Sequence, residues 1–228
     1  IKTGSNFELL TLASEGSITV LGGIGGIYVD QQYGISEIKT SPGVHGTINL
    51  EAGSEYILSA GADEIHTGAG SATVDASSGG VDSIYGGTGN LTFMAGAGSS
   101  WIAPSDLTSI EAGTGNLVVA SGGAFNLEVS SVGGASRTIE LPSLSNGVKL
   151  DNFGSQPIMS QTLDGTILDV ILSDNTKIQL LDMAGYAVTT TDGFLQFCSS
   201  GALAGTISIN VDGLVGVSSN GSGDDSAL

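Results

Sequence analysis

Basic residues are scarce in this chain: five Lys and Arg stand against 23 Asp and Glu, a formal net charge of −18 over 228 residues. A surface of that sign repels phosphate backbones and anionic headgroups, which sets aside nucleic acids and membrane surfaces as partners. Cysteine is nearly absent. Cys198 alone, in the apolar setting FLQFCSS, cannot form an intrachain disulfide and reads as a small buried hydrophobe. Aromatic residues make up 5% of the chain, so a core has to be built from Ile, Val, Leu and Ala. No apolar run reaches the roughly 18 residues that span a bilayer, and no membrane insertion is expected. The opening IKTGSNFELL has neither an initiator Met nor an apolar signal core, and reads as a processed product or a fragment.

Glycine, by contrast, is abundant at 37 residues, without the strict Gly-X-Y period of collagen. Hydrophobic residues reach 40%, too many for a disordered chain. They recur on a beat. The middle residues of successive short apolar runs are Ile18, Ile27, Ile38, Ile48, Ile57, Ile65, Val74, Ile84, Phe93, Ile102, Ile110, Val118, Leu127 and Ile139, spaced by about nine positions. Between them lie turn signals such as SPGVHG, SAGAD, GGTGN and EAGTGN. There glycine is expected to supply the positive φ of tight corners, and Asn, Asp and Ser to close turns with their side chains. Antiparallel hairpins would want longer strands and Asn-Gly or Asp-Gly pairs, which residues 17–133 lack.

Two units of nine make a coil of about 18 or 19 residues, the signature of a parallel β-roll. The expected fold is all-β: a β-roll, or β-solenoid, over residues 1–133, then an antiparallel β region over 134–217 and a flexible Ser/Gly/Asp tail over 218–228. About seven coils stacked at about 4.8 Å would give a rod of about 34 Å, held by inward ladders of Ile, Val and Leu. A larger-coil β-helix is the alternative. In the second part, RTIELPSLSNGVKLDNF offers two short strands around SNG. TILDVIL and TKIQLLDM flank SDN as a hairpin, and YAVTTTDGFLQF and GTISINVDGLVGV repeat the strand–turn–strand pattern. The antiparallel region is expected to close the end of the roll, because an open coil presents unpaired edge groups.

The glycine frame resembles the haemolysin-type, or RTX, calcium-binding repeats of proteins secreted by Gram-negative bacteria, whose unit is Gly-Gly-x-Gly-x-Asp-x-U-x with U a large apolar residue. GGTGNLTFM places Gly86, Gly87, Gly89 and Phe93 on that pattern with Leu91 where the aspartate belongs. AGTGNLVVA has Leu117 there, GGIGGIYVD Ile27, TGAGSATVD Ala72 and AGAGSSWIA Ser100; AGADEIH and GGVDSIY keep the acid as Asp63 and Asp82. The resemblance covers about residues 16–130. It implies that Asp63 and Asp82, one coil apart, share a Ca²⁺ ion on one edge of the roll, the hard oxygen-loving cation suited to flexible turns. The alternative is that both side chains cap their turns.

Catalytic groupings are thin. His45 and His66 could stack one coil apart, but a third zinc ligand at telling spacing is missing. Residues 17–133 hold one cation, Lys39, too few for a polysaccharide lyase or epimerase that steadies an enolate. Asp63/Glu64 and Asp106/Glu111 offer carboxylates for a glycosidase, yet aromatic sugar platforms are limited to Trp101 and a few Tyr. Thr19, Thr47, Thr73, Thr92 and Thr108 are too irregular for an ice-binding ladder. The reading is therefore of a non-enzymatic structural protein, secreted or at the cell surface of a Gram-negative bacterium. It would build a layer, filament or matrix as a homo-oligomer or polymer. A carbohydrate-binding adhesin with a surface polysaccharide as partner is the alternative, and a β-helix polysaccharide-processing enzyme ranks behind it.

Overall fold

The structure, a computed structural model, describes residues 1–105, 108–120, 125–129, 136–141, 148–151, 158–181, 186–191, 194–199, 202–208 and 218–219. Alternating apolar and polar residues favour strands, glycines end them after three to five residues, and the short strands that result stack in parallel. The two longest, β1 (Glu8–Leu21) and β2 (Ile27–Lys39), bend at a corner, and each contributes its first half to one ladder and its second half to another.

From there the rungs alternate. β3 (Gly46–Leu50) joins the first ladder and β4 (Ser54–Leu58) the second. β5 (Glu64–His66), β6 (Ser71–Asp75), β7 (Ser83–Tyr85) and β8 (Leu91–Met94) continue in turn. So do β9 (Ser100–Ala103), β10 (Thr108–Ala112), β11 (Leu117–Val119), β12 (Phe125–Val129), β13 (Arg137–Leu141) and β14 (Val148–Asp151). The result is a parallel β-solenoid of about six turns, not hairpins.

Its interior is two files of apolar side chains in register. Val29, Ile48, Ile65, Ile84, Ile102 and Val119 line the first ladder; Ile38, Ile57, Val74, Phe93, Ile110 and Leu127 line the second. All twelve are fully buried in one core. Strand alternation and register correct the series in four places. Ile27 is buried but aligns with Gly46, while Val29 meets Ile48, and Ile139 aligns with Leu117 rather than Val119. Val20, not Ile18, aligns with Ile38, and Val118 faces outward between Trp101 and Glu140 while Leu117 and Val119 point in. The threonines scatter as expected: Thr108 is buried, and Thr47 lies on the opposite ladder from Thr73 and Thr92.

Some corner glycines hold their places for the expected reason, and others do not. Positive φ occurs at Gly26, Gly34, Gly43, Gly53, Gly79 and Gly165, not at the Gly-x-Gly corners from Gly86 to Gly115. There the coils simply approach too closely for a side chain: a Cβ on Gly89 would overlap the carbonyl oxygen of Gly70, and one on Gly70 that of Gly53.

Parallel pairing also runs past the expected boundary at residue 133. β13 and β14 are the next two half-coils, reached through longer connections, so the nine-residue beat is lost while the solenoid continues. β15 (Ile158–Asp164), β16 (Ile167–Leu172) and β17 (Thr176–Leu180) then form an antiparallel meander. Its last turn is the expected one at Ser173–Asn175, with Asn175 at φ 66°. β18 (Tyr186–Thr191), β19 (Phe194–Ser199) and β20 (Ala202–Ser208) form a second, and the short β21 (Ser218–Ser219) pairs with β15. β17 lies parallel on β13, and β20 parallel on β14. Each ladder is thus prolonged by its own antiparallel trio. The strand expected after Asp212 and most of the Ser/Gly/Asp tail fall outside the described residues, as does the side chain of Cys198 on β19.

At the other end residues 1–3 add a partial rung: Lys2 pairs in parallel with Leu21, one coil length upstream. The first half of β1 has no such partner among the described residues.

Candidate functional site

Each coil turns into the first ladder through a corner whose last residue points inward. Asp63 and Asp82 occupy this position one coil apart, because Glu64 pairs with Ser83. The spacing of 19 therefore does bring them together. Both are 2% exposed. Asp63 Oδ1 accepts the Gly46 amide at 2.8 Å, and its Oδ2 accepts the Thr40 hydroxyl at 2.6 Å. Ser59 Oγ stands 2.6 Å from Asp63 Oδ2 and 2.7 Å from Asp82 Oδ1, which also takes the Asp63 amide at 3.1 Å. Asp82 Oδ2 is buried without a hydrogen-bond partner.

This donor set does not fit a Ca²⁺ ion. Calcium wants six to eight oxygens with lone pairs free to face it. Here N–H and O–H groups already point at both Asp63 oxygens, which leaves Asp82 Oδ2 as the one open carboxylate oxygen of the pair. No three His, Cys, Asp or Glu side chains gather at metal-binding distance among the described residues. The geometry favours corner-fastening by hydrogen bonds, the other role open to these aspartates.

The outward face of the first ladder carries an aromatic file. His66 stacks on Tyr85 with centroids 4.4 Å apart and planes 3° from parallel, and Tyr85 meets Trp101 at 5.1 Å and 55°. Glu64 holds the His66 ring through Nε2 at 2.8 Å. His45 sits in a corner beside Gly46 and does not join His66, which aligns with Asn49. Rings stacked face to face along a ladder turn their edges to solvent, so the file stiffens the sheet, each pair adding about 0.5–1.5 kcal/mol. Trp101, tilted and half-buried, is the ring least committed to it. Asp106, the partner considered for Glu111, lies outside the described residues.

A second polar group lies inside the roll near its start, at positions the glycine motif did not flag. Glu55 replaces an apolar residue on the inner side of β4 and is 6% exposed. Its Oε1 accepts Gln31 Nε2 at 3.1 Å, and the Ser36 hydroxyl donates to Gln31 Oε1. A shallow depression of about 370 Å³ opens above it, lined by Ser17, Thr19, Glu37, Ser54, Tyr56 and Thr73 among others.

Burial pushes the Glu55 carboxyl up to about 7. Asp82 is pushed up to about 6, again chiefly by burial, with the Asp63 charge adding to it and hydrogen bonds from Ser59 and the Asp63 amide opposing it. A carboxyl whose pKa is higher folded than unfolded stabilises the fold when protonated, and that contribution is lost as pH rises through the folded value. The melting temperature is therefore expected to fall as pH rises through about 6 and on through about 7. Glu55→Gln should remove the upper part of the fall; thermal melts at a series of pH values in constant salt check this.

No known protein family, curated protein or solved structure matches the chain.

Proposed function

We propose that this chain is an extracellular structural module, secreted or displayed by a Gram-negative bacterium, that works by joining its rod to further copies. The Gly-x-Gly frame, similar to that of RTX repeats, supports the secreted setting. The observation that carries assembly is a group of apolar side chains left exposed around the first strands: Phe7 at 64%, Leu9 at 69% and Ile24 at 76%. Exposed apolar side chains grouped in this way mark a contact surface for another molecule. The net charge of −18 opposes close approach of two copies, so the apolar contact has to outweigh that repulsion.

The test is a concentration series by light scattering with electron microscopy, with Ca²⁺ and with chelator. Association is expected in both conditions, and Phe7→Asp with Leu9→Lys should abolish it while leaving the circular dichroism spectrum unchanged. A chain that stays monomeric at every concentration removes the assembly reading. A glycan-binding adhesin is the second reading, supported by Trp101; loss of glycan-array binding in Trp101→Ala would favour it.

A further inference from the structure

Hydrogen counting at the Asp63–Asp82 corner leads further than the absence of a calcium shell. Ser59 Oγ is within hydrogen-bond distance of both carboxyl groups, at 2.6 and 2.7 Å, and Ser59, Asp63 and Asp82 are all buried. A serine hydroxyl has one hydrogen to give. One hydrogen shared between two acceptors makes long bonds, so two contacts this short call for a second hydrogen, carried by one carboxyl and donated to Ser59 Oγ.

The surroundings say which one. Asp63 is ringed by donors. The Gly46 amide points at Oδ1, and Thr40, whose oxygen already accepts the Ala60 amide at 3.0 Å, turns its hydrogen to Oδ2. Such an environment suits a full negative charge. Asp82 accepts one amide, that of Asp63, on Oδ1, and its Oδ2 has no partner. Leaving a buried oxygen unpartnered costs far less on a neutral acid than on a carboxylate.

We infer that Asp82 is a neutral acid whose Oδ1 donates to Ser59, that Ser59 donates in turn to an ionised Asp63, and that one proton, not a metal ion, fastens these two coils. Among the described residues Asp63 is the charged group acting on Asp82; the rung above presents Ser100 at the same position, and the rung below presents Gly46. The upward displacement of the Asp82 pKa by burial agrees with this assignment. The inference is independent of assembly, since it concerns how the coils hold rather than how the rods meet.

The test is carboxyl ¹³C NMR on the full chain at about pH 5, where an ordinary aspartate is ionised, with each signal assigned through bonds to its own backbone amide so that no variant is needed. Asp82 is expected to show a protonated carboxyl and Asp63 an ionised one. Melting curves supply a second arm. Asp63→Asn places an NH₂ against a ring of donors and should lower the melting temperature more than Asp82→Asn, and Ca²⁺ or chelator should shift neither these nor the wild type. Both carboxyls ionised at about pH 5, the protonated one being Asp63, or a melting temperature raised by Ca²⁺ in the wild type alone would each overturn the assignment.

Discussion

Arg137→Ala is expected to lower the unfolding free energy by about 3–5 kcal/mol, the loss typical when one member of a buried ionic group is removed. Arg137 is 1% exposed at the inner side of β13, where the core would otherwise take an aliphatic residue. Its Nη1 donates to the carbonyl oxygens of Ala112 at 3.0 Å and Gly113, and its Nε donates to Thr176 Oγ1 at 3.1 Å. Burial pulls its pKa down, and the charge of Asp174 pulls it back up. One side chain thus ties the corner after β10 to the start of β17. Without it, the buried Ala112 carbonyl and the half-buried Gly113 carbonyl lose a donor and Asp174, 7% exposed, loses its counter-charge. Urea unfolding followed by circular dichroism measures the loss. Hydrogen exchange should show β16 and β17 opening before the rest of the roll. If the double change Arg137→Met with Asp174→Leu is as damaging as Arg137→Ala, the charge argument is wrong and packing alone holds the junction.

Gly89→Ala is expected to cost about 3 kcal/mol or more, at or beyond the upper end for overpacking. The added methyl would strike backbone, the Gly70 carbonyl, and backbone of a stacked coil cannot rotate aside as a side chain can. Gly4→Ala is the control, since nothing lies within 4 Å of the position its Cβ would take. A thermal melt of Gly89→Ala that coincides with that of Gly4→Ala would mean the coils are not held this closely.

Much of this architecture can be read from residue spacing. An inward ladder needs one bulky apolar residue per half-coil, and the file from Ile38 through Ile110 was legible because each member repeats at the stacking period. Ile18, Ile27, Val118 and Ile139 fall outside the files because a nine-residue beat locates a rung without saying which neighbour faces in or aligns. That is decided by the two-residue alternation within the rung, and in β1 by register shifts around Ala13. The glycine frame was visible but its cause was not: whether a glycine serves a positive φ or a close backbone contact depends on the coil beneath it.

The corner shows the same limit. The spacing of Asp63 and Asp82 brought them to one edge. Thr40, from the neighbouring turn, and Ser59, at the head of Asp63's own SAGAD corner, decide what the pair does and lie outside the glycine motif. Glu55 and Arg137 announce themselves only once SEYIL and RTIEL are known to be strands, for then alternation places a charge inside.

The two faces of the rod are unequally sewn. β5, β7 and β11 on one face have three residues each, whereas β4, β6, β10 and β12 opposite have five. Backbone bonds between coils run along the rod, so a pull on its two ends loads every seam in succession. The three-residue seams carry fewer stitches and part first. Under traction the rod would gape along the face that bears His66, Tyr85 and Trp101 and hinge on the longer-stitched side, bending before it breaks.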